Sequence, residues 1–132
     1  MKLLTLLIIG AVFTGCMITD NGISINPPKP QVDICLNAVT DPEVATMKTQ
    51  VEAQSFKTEK LAKGKMLAKD RCFTTNQVVI LMSGFTFEDN KIEIAKYLYK
   101  RTSDRVDYET VVDALTYMSS KRELRDYIAA EN

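Results

Sequence analysis

From Thr40 to the carboxyl terminus, helix-start residues keep recurring, and each is followed by apolar side chains three and four positions apart. A chain written this way must bury one stripe of each helix against another. In "TDPEV", Asp41 reads as an N-cap and Pro42 as a first helical residue, with Val44, Met47 and Val51 on one face. Ser55-Phe56 opens a second helix running to about Asp70, interrupted by Gly64. "TTNQ", residues 74–77, has capping-box spacing; 78–82 is apolar all round, as in a short buried helix, and Gly84 supplies a stop. Thr86 caps the next helix, with Phe87, Ile94 and Leu98 on one stripe and Asp89, Glu93, Lys96 and Lys100 opposite. Asp107 caps a helix carrying Tyr108, Val111, Val112, Leu115 and Met118, and Ser120 to Glu123 repeats the box spacing ahead of Leu124, Tyr127 and Ile128. No run of alternating residues follows Thr40. The expected fold is all-α, a compact bundle or short stack of about six helices over residues 40–132.

A repeat runs through this pattern. Shifting the chain by 31 residues sets "SFKTEKLAKGK" over "TFEDNKIEIAK"; shifting by 32 sets Val79 and Ile80 over Val111 and Val112, and Phe85 over Tyr117. The unit is a helix pair, and such pairs bury their apolar faces on one another and stack.

The amino-terminal segment is of another kind. Lys2 supplies a basic start, residues 3–13 an apolar run too short to span a bilayer, and "FTGC" small residues ahead of Cys16. Residues 1–15 read as a secretory leader whose end looks like the lipobox of bacterial lipoproteins, with Cys16 as the acylated residue; an ordinary leader with an incidental cysteine is the alternative. Two or three acyl chains anchor a protein stably where one does not. Met17 rather than Asp after the cysteine favours the outer membrane by analogy with lipoprotein sorting. Residues 16–39 read as anchor and linker, and "NPPKP" within them as a semi-rigid polyproline-like spacer. Cys35 and Cys72 are then an even pair in an oxidising compartment. A disulfide fits them, and two buried thiols are the other reading.

Composition removes several chemistries. The 132 residues carry no formal net charge and no histidine or tryptophan. No global field invites nucleic acid, and the commonest general base and metal ligand are both missing. No phosphate-cradling glycine loop or nucleophile elbow occurs. Pairs such as Glu88-Asp89 and Asp104…Asp107 belong at helix starts, where the dipole favours them; a calcium site at Asp104 and Asp107 lacks EF-hand spacing. No cofactor and no metal is expected. Two surface features suit contact: a lysine-rich second helix, with Lys57, Lys60 and Lys63, and a tyrosine set from which Tyr97 stands off the apolar stripe.

The stretch from Gln77-Val78 through Phe85, Phe87-Glu88, Lys91-Ile92, Ala95-Lys96, Tyr99, Asp104, Tyr108, Glu123-Leu124 and Tyr127-Ile128 resembles DUF4476, a domain of unknown function found in bacterial lipoproteins and other secreted proteins. The likeness covers residues 55–128 and differs at Asp107 and Glu109, where Asn and an aromatic are usual. It implies a fold and a location, and no activity, cofactor or catalytic residue. The expected role is a lipid-anchored cell-envelope binding or scaffold module, not an enzyme, with the membrane and an envelope protein as partners. A small envelope enzyme or hydrolase inhibitor with an atypical carboxylate site is the alternative.

Overall fold

The structure, a computed structural model, describes residues 35–132. The leader, Cys16 and the proline-rich spacer lie outside the described residues. Six helices follow in order: α1 (Asp41–Glu52), α2 (Lys57–Ala68), α3 (Thr75–Met82), α4 (Glu88–Tyr99), α5 (Glu109–Asp113) and α6 (Met118–Glu131), with a 3-10 turn at Arg105–Asp107. The domain is all-α. Among the described residues, β pairing is limited to two isolated parallel bridges, Ala38 with Cys72 and Phe73 with Thr102. No helix among them is long and apolar enough to cross a membrane.

The helices form two layers. α1, α3 and α5 pack side by side in one, α2, α4 and α6 in the other, and α1 on α2, α3 on α4 and α5 on α6 close the pairs. The 31-residue step is visible in the element bounds: it carries 57 to 88 and 68 to 99, so α2 maps onto α4 end to end. For the last pair the step shortens, and Phe87 rather than Phe85 stands over Tyr117.

Local chemistry explains the starts of α1 and α3, and the other starts fall a residue or two from where the sequence puts them. The α1 N-cap is Thr40, not Asp41; its hydroxyl accepts from the Glu43 N–H while the Glu43 carboxylate accepts from the Thr40 N–H at 2.8 Å. Thr74 and Gln77 form the same reciprocal box at α3. Buried Gln77 then uses its amide to donate to the Val39 carbonyl and to Asp41, both at 2.8 Å, tying the starts of α1 and α3 together. Thr86 and Asp107 do not cap, and Ser120 is buried inside α6 rather than opening a box, because α6 begins two residues earlier. Met118 is exposed for the same reason: it starts α6 instead of extending the α5 stripe. α5 is a single turn that could not persist alone. Tyr108, Val111, Val112 and Leu115, all buried, hold it in place.

Side chains inaccessible to water, including Val44, Val51, Val78, Leu81, Ile94, Leu98 and Leu124, form one continuous core; each contributes about 1.5–3 kcal/mol on burial. Tyr108 is the largest of the fully buried set, stacked edge-on against Tyr99 at 4.9 Å and donating its hydroxyl to the Ala95 carbonyl at 2.6 Å. Burial pushes its phenol well above the usual range. Gly64 does not break α2. The helix passes through it because a Cβ there would lie 2.7 Å from the Phe85 ring, so the missing side chain lets α2 meet that ring and Ile94.

The folded unit starts earlier than the expected boundary at residue 40. Cys35 and Cys72 are joined in a disulfide with Cα atoms 5.6 Å apart. Val39 is buried and donates its N–H to the Cys72 carbonyl at 2.8 Å, and the Cys72 N–H returns to the Asn37 carbonyl at 3.0 Å. Residues 35–39, assigned to the linker from sequence, are part of the domain. Asp70 turns this corner with φ 60°, a left-handed conformation that aspartate tolerates better than most side chains.

Candidate functional site

The lysine-rich run on α2 is not one solvated basic face. Lys57 pairs with Asp89 and lies over the Phe87 ring at 5.6 Å. Lys60 corrects the sequence reading most clearly: it is only 9 % exposed, and its ammonium donates to the Val51 and Glu52 carbonyls at 3.2 and 2.9 Å. It stabilises the carbonyl end of α1, where the helix dipole favours a cation, and is no contact residue. Lys63 is half-buried. Tyr97 is half-buried too, with Arg101 over its ring at 4.0 Å and Lys65 at 5.6 Å, so it packs against the core under two cations. The structure does not bring Tyr97, Lys57, Lys60 and Lys63 into one cluster with free heads.

The carboxylates are engaged in holding helices. Asp104 accepts from the Thr75 N–H at 2.7 Å and from its hydroxyl at 3.0 Å, capping α3 from 29 residues away and occupying both oxygens a cation would need. Glu88 reaches from α4 to the N–H groups of Thr116 and Tyr117, at 2.5 and 3.2 Å, just ahead of α6. Glu43 accepts from Arg71 at 2.8 Å across the open groove between α1 and α2, a cavity of about 390 Å³ floored by Met47 and Leu67. The Arg71 guanidinium first, then the Thr40 N–H and hydroxyl, lower its pKa from the ordinary 4.5 to about 2. Because that value is depressed in the folded state, Glu43 contributes stability in full above about pH 4.5 and loses it as the pH falls toward 2. Melting curves between pH 5 and 2 should therefore drop less steeply for Glu43→Gln than for the unaltered chain. Equal slopes would show that Glu43 has no part in acid unfolding.

What the sequence did not single out is a row of aromatic side chains at one end of the stack. Phe56, Phe87 and Tyr117 occupy the N-cap positions of α2, α4 and α6, each in extended backbone and none with a side-chain cap. They are 66, 49 and 60 % exposed, and Met118, 68 % exposed, adjoins the last. The three helix starts lie at the same end: Lys57 of α2 pairs with Asp89 of α4, and Glu88 of α4 reaches the start of α6. An N-cap ordinarily carries Ser, Thr, Asp or Asn, whose own side chain is worth about 1 kcal/mol there; at α6 the Glu88 carboxylate bonds the start from α4 instead. Three times this chain sets that residue one place early, as Ser55, Thr86 and Thr116, and puts a water-exposed ring at the cap instead. A fold built for stability alone has no use for that substitution. The visible signal was the Ser/Thr-aromatic pair recurring at each helix start, which reads as capping when taken one helix at a time.

The attachment of the amino-terminal segment lies at the other end. Cys35 is bonded to Cys72, in the connection between the carboxyl end of α2 and the start of α3, while Phe56 stands at the amino end of α2. Twelve residues of α2 separate the two ends, a length of about 18 Å.

No curated protein and no solved structure matches the chain. The family model described as a domain of unknown function, DUF4476, matches residues 38–128, which contain all of the helices up to the last turn of α6 and the whole aromatic row. The chain belongs to the DUF4476 family.

Proposed function

We propose that the protein is a lipid-anchored module of a bacterial cell envelope, acylated at Cys16, tethered through the proline-containing linker to the outer membrane, and acting by binding rather than by turnover. The observation that carries this reading is the placement of the exposed aromatic row at the end of the helical stack opposite Cys35. Phe56 and the Cys35–Cys72 bridge stand at opposite ends of α2, so the row is not on the end of the fold where residue 35 enters it. The lipobox-like "FTGC" and the apolar run before it support the anchor. The use of Glu43, Glu88, Asp89 and Asp104 in caps and ion pairs supports binding over acid–base chemistry. Expression in the native host with a clickable palmitate analogue tests the reading. The expected product is a labelled chain beginning at Cys16, pelleting with membranes, and losing both label and pelleting in Cys16→Ser. A chain that keeps Met1, or a clipped one that is soluble and unlabelled, would overturn it.

A further inference from the structure

We infer that the end of the domain bearing the Cys35–Cys72 bridge is a membrane-facing surface that lies on anionic phospholipid, with the cleft lined by Arg71, Lys100 and Arg101 receiving headgroup phosphates. The inference deepens the anchored-module reading by giving the bilayer a second hold, on the folded unit itself. It rests on that reading for its setting, while the contact needs no acyl chain. Charge comes first. The cleft has a volume of about 570 Å³ and opens between the corner at 70–72 and the end of α4. The Phe73 N–H donates to the Arg101 carbonyl at 2.9 Å, which fixes the two cationic segments side by side. Arg71 spends its Nε on the Asn37 carbonyl and its Nη2 on Glu43, and Arg101 its Nη1 on the Tyr97 carbonyl. Both guanidiniums keep N–H donors for an incoming oxygen. The ammonium of Lys69, exposed at the end of α2, has no partner among the described residues.

The carboxylates around the cleft are mostly spent on the protein. Asp41 accepts from Gln77 and Asp104 from Thr75, while Glu43 and Glu131 hold Arg71 and Lys100. Of the lining itself, only Asp70 is acidic. Carbonyl ends of helices favour cations, which accounts for Lys69 and Lys100 taken alone. It does not account for Leu36, which lines the same cleft and is 83 % exposed, or for Met66, 59 % exposed one turn before Lys69. Long apolar side chains standing in water among lysines and arginines are the pattern of a surface that sits at the headgroup boundary of a bilayer. A free phosphate would use the cations and leave Leu36 and Met66 without a role. The phosphate that fits is a lipid's.

Position agrees with charge. Residue 35 enters the fold at this cleft, which Leu36, Asn37 and Cys72 help to line. The surface proposed to meet the bilayer is therefore the one where chain from Cys16 joins the domain. However that chain runs, it spans no more than about 3.3–3.6 Å per residue, so a domain acylated at Cys16 stays within reach of headgroups. At the effective concentration a tether creates, a contact too weak to recruit a free protein is occupied.

Residues 16–132 carrying Cys16→Ser, oxidised and unacylated, contain the whole described unit and test this against vesicles of phosphatidylglycerol and phosphatidylethanolamine; the apolar run before residue 16, which would itself enter a bilayer, is left off. The chain has no tryptophan, so Leu36→Trp and Tyr117→Trp, both at exposed positions, each report alone. At low ionic strength the Leu36→Trp emission should shift to the blue and be quenched by brominated lipid, while Tyr117→Trp, at the other end of the stack, stays silent. Lys69→Gln with Lys100→Gln should weaken partitioning about twentyfold. Lys57→Gln with Arg122→Gln, which removes the same charge from the amino-terminal halves of α2 and α6, should leave it unchanged. All four of these side chains are exposed, so the variants fold. No binding to these vesicles, equal binding to phosphatidylcholine vesicles, a blue shift confined to Tyr117→Trp, or equal loss in both charge variants would overturn the inference. So would a response to inorganic phosphate or poly-glutamate with none to vesicles. Because the chain used is unacylated, failure here is distinguishable from failure of the anchor, which the palmitate experiment reads separately.

Discussion

Cys35→Ser combined with Cys72→Ser should lower the stability of the domain by about 3–4 kcal/mol, the value that chain entropy gives for a loop of this size. The bridge spans 37 residues of sequence and encloses both α1 and α2. Urea denaturation of the oxidised, reduced and double-serine forms checks it. The reduced and serine forms should share a midpoint, well below that of the oxidised chain. In a domain of about this length a loss of that size lowers the melting temperature by more than 10 °C, at roughly 4–8 °C per kcal/mol. If all three forms unfold together, the backbone pairing of Ala38 with Cys72 and the burial of Val39 hold the corner without help.

Tyr108→Ala should cost about 3–5 kcal/mol, as large aromatic truncations in packed cores do. Tyr108 is among the most enclosed side chains, fills the space between α4 and the short α5, and stacks on Tyr99. Tyr108→Phe isolates the hydroxyl, whose bond to the Ala95 carbonyl is worth about 1 kcal/mol net. The two variants together separate packing from hydrogen bonding. With so few residues of its own, α5 depends on this ring, and loss of amide protection at Val111 and Val112 should exceed the global loss in Tyr108→Ala. Uniform loss across all six helices would mean that α5 is no weaker than its neighbours.

How much of this was legible in the sequence depends on how far each contact reaches along the chain. The boxes at Thr40–Glu43 and Thr74–Gln77 span three residues, so their spacing is written locally. The apolar stripes of α1 and α4 are local in the same sense, as is the 31-residue step. The misplaced starts have distant partners instead. The sequence puts the start of α6 at Ser120, whereas the carboxylate that bonds its true start, Glu88, lies 28 residues upstream. Asp104 was assigned to its own turn although it serves α3. Lys60 looked like surface because nothing in its neighbourhood reveals that the end of α1 folds back over it. The aromatic row is not written locally for a related reason: each ring is ordinary alone, and the set exists only once parallel helices bring three remote positions to one end.

The disulfide also decides how the domain bears a pull. Tension applied through the segment upstream enters at Cys35, crosses the sulfur bridge to Cys72 and continues into α3. α1 and α2 hang in the closed loop and carry none of the load. Cutting the bridge with a reductant reroutes the same tension through the Ala38–Cys72 pairing and the Thr40 cap, so the first pair would peel away under forces that the oxidised chain withstands.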